Sequence, residues 1–288
     1  MSQVSSNNPE LVPRSSRDPL IKISPTRSAI IPQLTEAWDH RELLYFLVWR
    51  DLKVRYRQTL LGVAWVILQP VLMTLVFTIF FNQLGHFPSE GVPYPLFAYA
   101  GLLPWTFFAN SISTGSSSLL SNSYIITKVY FPRVLIPTAI VGVRLVDFLI
   151  ASAVLIGLML FYRVGITRHM LILPVLVAES TLLAVAIASW LSVLNTKYRD
   201  IGTLLPVLIQ VWMFASPIIY PSSIVPTRWR SLYSLNPLVG IIENFRAAFF
   251  GLPFEWRAMA ISAGVTLVLL VYVIHIFNRL QEGLVDRL

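Results

Sequence analysis

Residues 134–161 read VLIPTAIVGVRLVDFLIASAVLIGLMLF, an apolar run that contains only two charged side chains, Arg144 and Asp147. The hydrocarbon core of a bilayer is about 30 Å thick, so a helix needs about 20 apolar residues to cross it. Three further runs of that length occupy 62–82, 170–194 and 257–277, and two stretches reach it when a few prolines and serines are included, 95–120 and 201–220. The sequence therefore predicts an all-α integral membrane protein with six transmembrane helices, called spans one to six in chain order.

The composition supports this fold class. Hydrophobic residues make up 56% of the 288 residues and charged residues only 12%, against roughly 25% charged residues in an average soluble domain. The absence of cysteine excludes disulfides and thiolate metal sites. Residues 1–37 are polar, rich in Ser, Pro and Arg, and lack the apolar core of a signal peptide, so we expect a mobile cytoplasmic tail ahead of one membrane domain, residues 38–288.

The distribution of basic residues predicts the topology. The net charge is +8, and fifteen of the 22 lysines and arginines fall before span one, between spans two and three, between spans four and five, or after span six. The positive-inside rule then places both termini in the cytoplasm; the resemblance described below implies the inner membrane of a bacterium. Topology and anionic lipid account for the basic excess, so no nucleic-acid partner is expected.

An amphipathic helix precedes span one. In WDHRELLYFLVWRDLKVRYR, residues 38–57, helical spacing places Tyr45, Val48, Trp49, Leu52 and Tyr56 on one side. This pattern is typical of a helix that lies in the membrane interface, although packing against other protein is an alternative. The basic face of the helix is predicted to comprise Arg50, Lys53, Arg55 and Arg57.

Ionisable residues also occur within the predicted membrane region. Arg144 and Asp147 in span three are three residues apart and can meet on one helix face, either as a structural pair or as part of a transport route. Glu179 in span four has no partner nearby in the sequence. Residues 238–252 are apolar but too short to cross comfortably, and they carry Glu243 and Arg246, again three residues apart, so we predict an outer re-entrant hairpin between spans five and six.

Signatures of several enzyme classes are missing. The sequence has no GxxxxGK[ST] phosphate loop, no HExxH and no Gly-x-Ser-x-Gly motif, and its four histidines lack metal-ligand spacing. No catalytic residue, metal site or cofactor is therefore predicted in this chain. Any energy source for transport must come from a partner protein.

Several segments, taken in order, resemble the permeases of the ABC-2 family of ABC transporters. They are WRDLKVRYRQTLLGVAWVILQP (49–70), ITKVYFPR (126–133), KYRDI (197–201), SPIIYP (216–221) and LNPL with FR (235–246). The resemblance covers the chain from about residue 38 to its end. It is strongest to the branch that exports lipid-linked polysaccharides of the O-antigen, capsule or teichoic acid type.

The resemblance implies a homodimer that pairs with two copies of a separate ABC ATPase, which would hold ATP and Mg. It also implies that the interface helix and the first cytoplasmic loop contact that ATPase. The residues that would transmit the contact in this chain are Asn122, Tyr124, Ile125, Lys128, Tyr130, Phe131 and Arg133. A position at the membrane edge would by itself also favour these residue types.

Aromatic residues are candidates for the lining of a glycan pathway, because their rings can stack on the C–H faces of sugars. The candidates lie in spans one, two and five: Phe77, Phe80, Phe81, Trp105, Phe107, Phe108, Trp212, Phe214 and Tyr220. Three alternatives stay open. They are an exporter of the same fold for a drug or other lipid, a membrane-embedded glycosyltransferase that acts on a lipid carrier, and an ion-coupled transporter.

Overall fold

The computed structural model describes residues 39–57, 62–129 and 131–284, with side chains as far as residue 277. All regular secondary structure in that part of the chain is helical, and no strand occurs there. The predicted tail, residues 1–37, lies outside the described residues.

The described α-helices, in chain order, are α1 (Arg41–Arg57), α2 (Ala64–Phe77), α3 (Tyr94–Ser116), α4 (Ser118–Ser121), α5 (Ser123–Lys128), α6 (Leu135–Phe161), α7 (Leu173–Lys197), α8 (Asp200–Phe214), α9 (Thr227–Tyr233), α10 (Pro237–Phe250) and α11 (Trp256–Leu284). A π-helical segment, Thr78–Leu84, continues α2, and a 3-10 turn, Arg168–Ile172, leads into α7.

Four helical segments are long and apolar enough to cross a membrane: Ala64–Leu84, Leu135–Phe161, Arg168–Lys197 and Trp256–Phe277. They coincide with predicted spans one, three, four and six. Helix α3 has 23 residues, which is about 35 Å of helix, but it is more polar from Asn110 onward. Helix α8 is a shorter apolar helix that ends at Phe214, so the prediction of one continuous span over 201–220 was too long at its C-terminal end.

Helix α3 lies at the centre of the bundle. It packs against α6, α7, α10 and α2, and most of its side chains are buried. Its closest approach to α7 occurs at Gly115, where an added Cβ would lie 2.7 Å from the Cβ of Ala188. Small residues allow such close backbone approach within membranes, which explains the run of small polar residues between 110 and 118.

Helix α10 is short and buried on all sides. Every residue from Pro237 to Phe249 is buried, and the helix packs against α11, α3 and α7. The Asn236 side chain caps its N-terminus by accepting a hydrogen bond from the Leu238 amide. The helix ends at Gly251, whose φ of 70° is the left-handed conformation that favours glycine at a helix C-terminus.

Helix α1 packs along the N-terminal half of α6. Leu47 is buried in an apolar cluster with Phe131 and Leu135, and Val48 contacts Gly142, where an added Cβ would lie 2.9 Å from Val48 Cγ2. Of the residues predicted to share one side, Val48, Leu52 and Tyr56 are half-buried, whereas Tyr45 and Trp49 are exposed. The predicted helix is confirmed, and part of its apolar side packs against α6 whereas Tyr45 and Trp49 are exposed.

The connection between α7 and α8 is tight. Only Tyr198 and Arg199 separate the two helices. Asn195 closes the turn, because its Oδ1 accepts a hydrogen bond from the Gly202 amide and its Nδ2 donates to the Ser116 carbonyl. The turn is thereby joined to the C-terminal end of α3.

Candidate functional site

The predicted coupling loop, Asn122–Arg133, lies within residues 118–133, whose described part comprises α4, α5 and the non-helical residues before α6. Asn122 lies between the two short helices. Its Nδ2 donates to the Ser118 carbonyl, and its Oδ1 accepts a hydrogen bond of 3.0 Å from Arg50 Nη2 in α1. The segment is thus tied to the interface helix by a direct side-chain contact.

The aromatic and apolar residues of this segment have two different environments. The Tyr124 side chain is 70% exposed, and Lys128 Nζ lies 3.9 Å from the centre of its ring. Phe131 is only 5% exposed and packs in the cluster around Leu47, against which Ile125 also packs. Tyr124 and Lys128 are therefore available to a partner, whereas Phe131 anchors the segment.

The remaining coupling candidates include Arg133 and Tyr130. Arg133 is half-buried at the start of α6 and is engaged in an interaction within the molecule. Tyr130 lies outside the described residues.

A charged cluster joins α1 to α6. The pairing of Arg144 with Asp147 that the sequence predicts is confirmed, with 3.3 Å between Arg144 Nη1 and Asp147 Oδ2. The same carboxylate oxygen lies 3.0 Å from Arg55 Nη2, and Tyr56 Oη donates to Oδ1 of Asp147. Arg144 Nη2 also donates to Thr114 Oγ1 in α3 at 2.6 Å. Asp147 therefore joins α6 to α1, and its partner Arg144 connects the cluster to α3.

Tyr56 is a neutral donor in this cluster. Burial raises the pKa of Tyr56 to about 12, and its hydrogen bond to Asp147 acts in the same direction. The hydroxyl accordingly keeps its proton at neutral pH and remains able to donate to the carboxylate.

The four residues of the predicted basic face do not share one environment. Lys53 and Arg57 are exposed. Arg50 pairs with Asp51 at 2.8 Å and contacts Asn122, while Arg55 turns toward Asp147. Only Lys53 and Arg57 form the exposed basic surface that the sequence pattern suggested.

A second charged pair lies between α10 and the non-helical stretch after α8. Arg246 is fully buried, with Nη1 at 3.7 Å from Glu243 Oε2, so the predicted pairing is confirmed. Its Nη2 donates to the Ile218 carbonyl at 2.7 Å and its Nε to the Phe97 carbonyl at 3.2 Å. The guanidinium also lies 3.6 Å from the centre of the Phe97 ring.

These contacts explain how the chain can leave helical geometry inside the bundle. Residues 215–221 are not in a regular helix, yet Ile218 and Ile219 are buried. Arg246 satisfies the carbonyl of Ile218, and Tyr94 Oη donates to that of Ile219 at 3.0 Å. Irregular backbone is tolerated at membrane depth only where its polar groups find protein partners.

The candidate pathway aromatics are mostly packed within the protomer. Buried or half-buried members are Phe77, Phe81, Trp105, Phe107, Phe108, Trp212 and Tyr220. Trp105 lies 6.2 Å from Phe108 and Phe108 lies 5.1 Å from Trp212, measured between ring centres. Only Phe80, beyond α2, and Phe214, at the end of α8, are largely exposed. The set is therefore divided between a core cluster and two surface rings.

Glu179 in α7 is buried, and its Oε1 has no hydrogen-bond partner among the described residues. It is remote in sequence from the other charges and does not join either cluster. No group of three or more His, Cys, Asp or Glu side chains suited to a metal ion occurs in the part of the chain that the structure describes.

Sequence reasoning missed the contacts that join distant segments. Arg55 and Tyr56 meet Asp147 across more than ninety positions, and no local spacing signals that. Asn236 was also missed: its Oδ1 accepts a hydrogen bond from Trp212 Nε1 at 3.1 Å, and its Nδ2 donates to Ser216 Oγ at 3.0 Å. The LNP motif offered a signal for Asn236, because Asn before Pro is a common helix N-cap.

Comparison with known proteins gives a consistent result. Residues 42–250 match the model of the ABC-2 type transporter family. An O-antigen export system permease protein, RfbA, of Myxococcus xanthus is 33% identical over 258 residues, which cover 88% of this chain and 98% of the relative. A protein of the same name from Klebsiella pneumoniae is 27% identical, over 83% of this chain and 92% of the relative.

A third relative, the polysialic acid transport protein KpsM of Escherichia coli, is 26% identical over 82% of this chain and 92% of its own length. The region matched to the family extends from α1 to the end of α10, so it contains both charged clusters and the segment 118–133.

Proposed function

The chain belongs to the ABC-2 type transporter family, and from that membership we propose that it is the membrane subunit of an ATP-driven exporter of a lipid-linked polysaccharide. The observation that carries the proposal is the likeness over nearly the whole length of the Myxococcus xanthus relative, whose name states O-antigen export. The KpsM relative is named for transport of another polysaccharide, polysialic acid. The cargo class is thus an O-antigen, a capsule or a teichoic acid.

We propose that the chain crosses a bacterial inner membrane six times, with both termini in the cytoplasm. Helix α3 has the length for a fifth crossing beyond the four apolar spans. Helix α8 and the stretch 215–221, in which residues 216–219 are buried, would together supply the sixth. The distribution of Lys and Arg supports this orientation.

Helix α10 would enter the membrane from the outer side without crossing it. With 14 residues it extends for only about 21 Å, and it is surrounded by protein on all sides. With the short helix α9 it forms the proposed outer hairpin, which would help to close the exit of the pathway.

The energy for export would come from two copies of a separate ABC ATPase, which bind ATP and Mg, acting on a homodimer of this chain. Tyr124 and Lys128 are exposed on α5 and suit a docking cleft on a soluble partner. Movement of that segment would pull α1 through the contact between Asn122 and Arg50. Helix α1 would in turn pull α6 through Asp147.

The glycan would pass between two protomers. Helices α2 and α8 each present an exposed apolar face, and Phe80 and Phe214 are the pathway candidates on those faces. Aromatic rings can stack on successive sugars without holding any one hydroxyl tightly, which suits the movement of a polymer. The buried members of the set would support these rings from behind.

A genetic experiment tests the proposed cargo. In a bacterium whose own O-antigen export permease gene is deleted, this chain and its genomically neighbouring ATPase are expressed together, and surface polysaccharide is measured by antibody labelling of intact cells. We expect restored surface labelling that requires both genes. The proposal for this glycan would be contradicted if surface labelling stays at the level of the deletion strain while both proteins are in the membrane and glycan accumulates inside the cell. Resistance of these cells to a panel of drugs would then favour the drug-exporter alternative.

A further inference from the structure

A pocket with a volume of about 440 Å³ lies between α1, the C-terminal end of α3, α4 and α6. None of the pathway aromatics lines it, whereas Arg50, Arg55 and Asn122 of the proposed coupling contacts do. Its polar lining consists of Arg50, Asp51, Arg55, Thr114, Ser117, Ser118, Ser121, Asn122 and Arg144. Its remaining wall is apolar and consists of Val54, Ile140 and Val143. The pocket is therefore amphipathic.

The charge in and around the pocket does not balance. Arg50, Arg55 and Arg144 contribute three guanidinium groups, which stay protonated in proteins. Asp51 in the lining and Asp147 behind it are the carboxylates that contact them among the described residues. The side chain of Arg144 is only 14% exposed, so water screens its charge poorly. Among the described residues, three guanidinium groups thus meet two carboxylates at this pocket, and Arg144 is shielded from water.

Ser118 provides an independent observation. The other hydroxyls of the lining are satisfied internally: Thr114 donates to the Asn110 carbonyl, Ser117 to that of Thr114 and Ser121 to that of Ser117. Ser118 is only 2% exposed, and its Oγ has no hydrogen-bond partner among the described residues. A buried hydroxyl without a partner is unfavourable, and this residue lines the same pocket as the three arginines.

We propose that this pocket binds a phosphate group carried by a lipid. The three guanidinium groups would neutralise the phosphate, and Ser118 Oγ would donate a hydrogen bond to one of its oxygens. The apolar wall would receive the first carbons of the hydrocarbon chain, which favours a lipid phosphate over free phosphate. The assignment of this lipid to the carrier of the transported glycan rests on the proposed function; the phosphate site itself does not.

The pocket extends from the cytoplasmic surface into the bilayer in the proposed topology. Arg144 lies nine residues from the start of α6, which corresponds to about 14 Å along the helix. That start is at the cytoplasmic surface in this topology, so Arg144 lies below the headgroup layer, in the inner half of the bilayer.

The test uses the full chain in phosphatidylcholine nanodiscs and measures the binding of farnesyl pyrophosphate, a short-chain carrier analogue. Ser118→Ala should weaken binding about tenfold, because a hydrogen bond to a charged group is lost, while thermal stability stays equal or rises. Ser189→Ala is the matched control, because Ser189 Oγ in α7 is also buried without a partner but lies outside the pocket. Its binding should equal that of the unaltered chain.

A second pair of variants tests the charges. Arg50→Gln removes a lining charge and should weaken binding about tenfold, whereas Lys53→Gln on the exposed side of α1 should change it less than about twofold. An equal loss of binding in both variants would indicate general attraction to a basic surface and would overturn the proposal that the pocket binds the phosphate.

Further probes identify the source of the phosphate. If inorganic pyrophosphate binds as tightly as farnesyl pyrophosphate, the proposal that the phosphate is carried by a lipid is overturned. The proposal is also overturned if Ser118→Ala binds farnesyl pyrophosphate as well as the unaltered chain does, or if the unaltered chain does not bind it. Native mass spectrometry after exchange into phosphatidylglycerol reports whether an ordinary anionic lipid displaces the probe. If phosphatidylglycerol displaces the probe from the unaltered chain but not from Ser118→Ala, the phosphate site is supported and its ligand is an ordinary membrane lipid. Failure of glycan export with intact farnesyl binding would contradict the proposed function alone.

Discussion

Arg246→Met should destabilise the protein more than any exposed arginine substitution. Methionine retains much of the side-chain length and apolar volume but removes every donor. The Ile218 carbonyl then loses the guanidinium that lies 2.7 Å away, at a cost of about 1–3 kcal/mol. Glu243 loses its cation and the Phe97 ring loses its contact with the guanidinium, which together add about 2 kcal/mol.

The expected total is about 3–5 kcal/mol, which corresponds to a fall of roughly 10 °C in the unfolding temperature. The measurement is tryptophan fluorescence during heating in detergent, since the chain has 8 Trp and no Cys for a thiol-reactive dye. Adding Glu243→Gln should recover part of the loss, because no carboxylate is then left without its cation. Arg228→Met on the exposed surface of α9 is the control and should stay within about 2 °C. An Arg246→Met protein as stable as this control would refute the reasoning.

Three further predictions follow from individual contacts. Asp147→Asn should lower stability by about 3 kcal/mol and reduce ATP-driven transport, because two guanidinium groups then face each other without a carboxylate; heating and transport assays measure this. Gly240→Ala should cost about 1–3 kcal/mol by overpacking, since its Cβ would lie 2.4 Å from the Ala258 carbonyl oxygen; the unfolding temperature measures it. Tyr124→Ala should leave stability unchanged but reduce transport-coupled ATP hydrolysis, whereas Phe131→Ala should destabilise by about 3–5 kcal/mol because that ring is buried.

Each of these three predictions has a control variant or an outcome that would contradict it. Arg144→Gln added to Asp147→Asn should restore part of the lost stability, and a double variant worse than the sum of its singles would contradict the charge argument. Gly157→Ala is the control for Gly240→Ala, since nothing lies within 4 Å of its added Cβ. If Tyr124→Ala retains the transport-coupled ATP hydrolysis of the unaltered chain, the proposal that α5 contacts the ATPase is contradicted.

Local sequence patterns predicted the parts of this fold that depend on neighbouring residues. Apolar runs indicated four spans by length and hydropathy, and the spacing of three residues indicated both buried ion pairs. The tight turn after α7 could also be read from residues 195–202. In each case the interacting groups belong to one helix or one short connection, so the physical cause lies within the local sequence.

The remaining features depend on contacts between distant segments. Helix α8 ends at Phe214, just before Ser216-Pro217, and the distant contribution lies in the stretch that follows, whose carbonyls accept hydrogen bonds from Arg246 and Tyr94 of other helices. Phe131 has the residue type of a partner contact but is buried, because α1 and α6 cover it. Arg55 leaves the basic face for the same kind of reason, since Asp147 attracts it inward.

The central claim is that this chain forms a membrane pathway whose propulsion comes from a separate ATPase. The most direct measurement is export of a radiolabelled lipid-linked glycan in proteoliposomes that contain the chain with or without its copurified ATPase. The account predicts glycan movement only when both proteins and Mg-ATP are present, with loss of movement when the ATPase is inactivated by mutation. Movement driven by the chain alone, or hydrolysis of ATP by the purified chain, would contradict it.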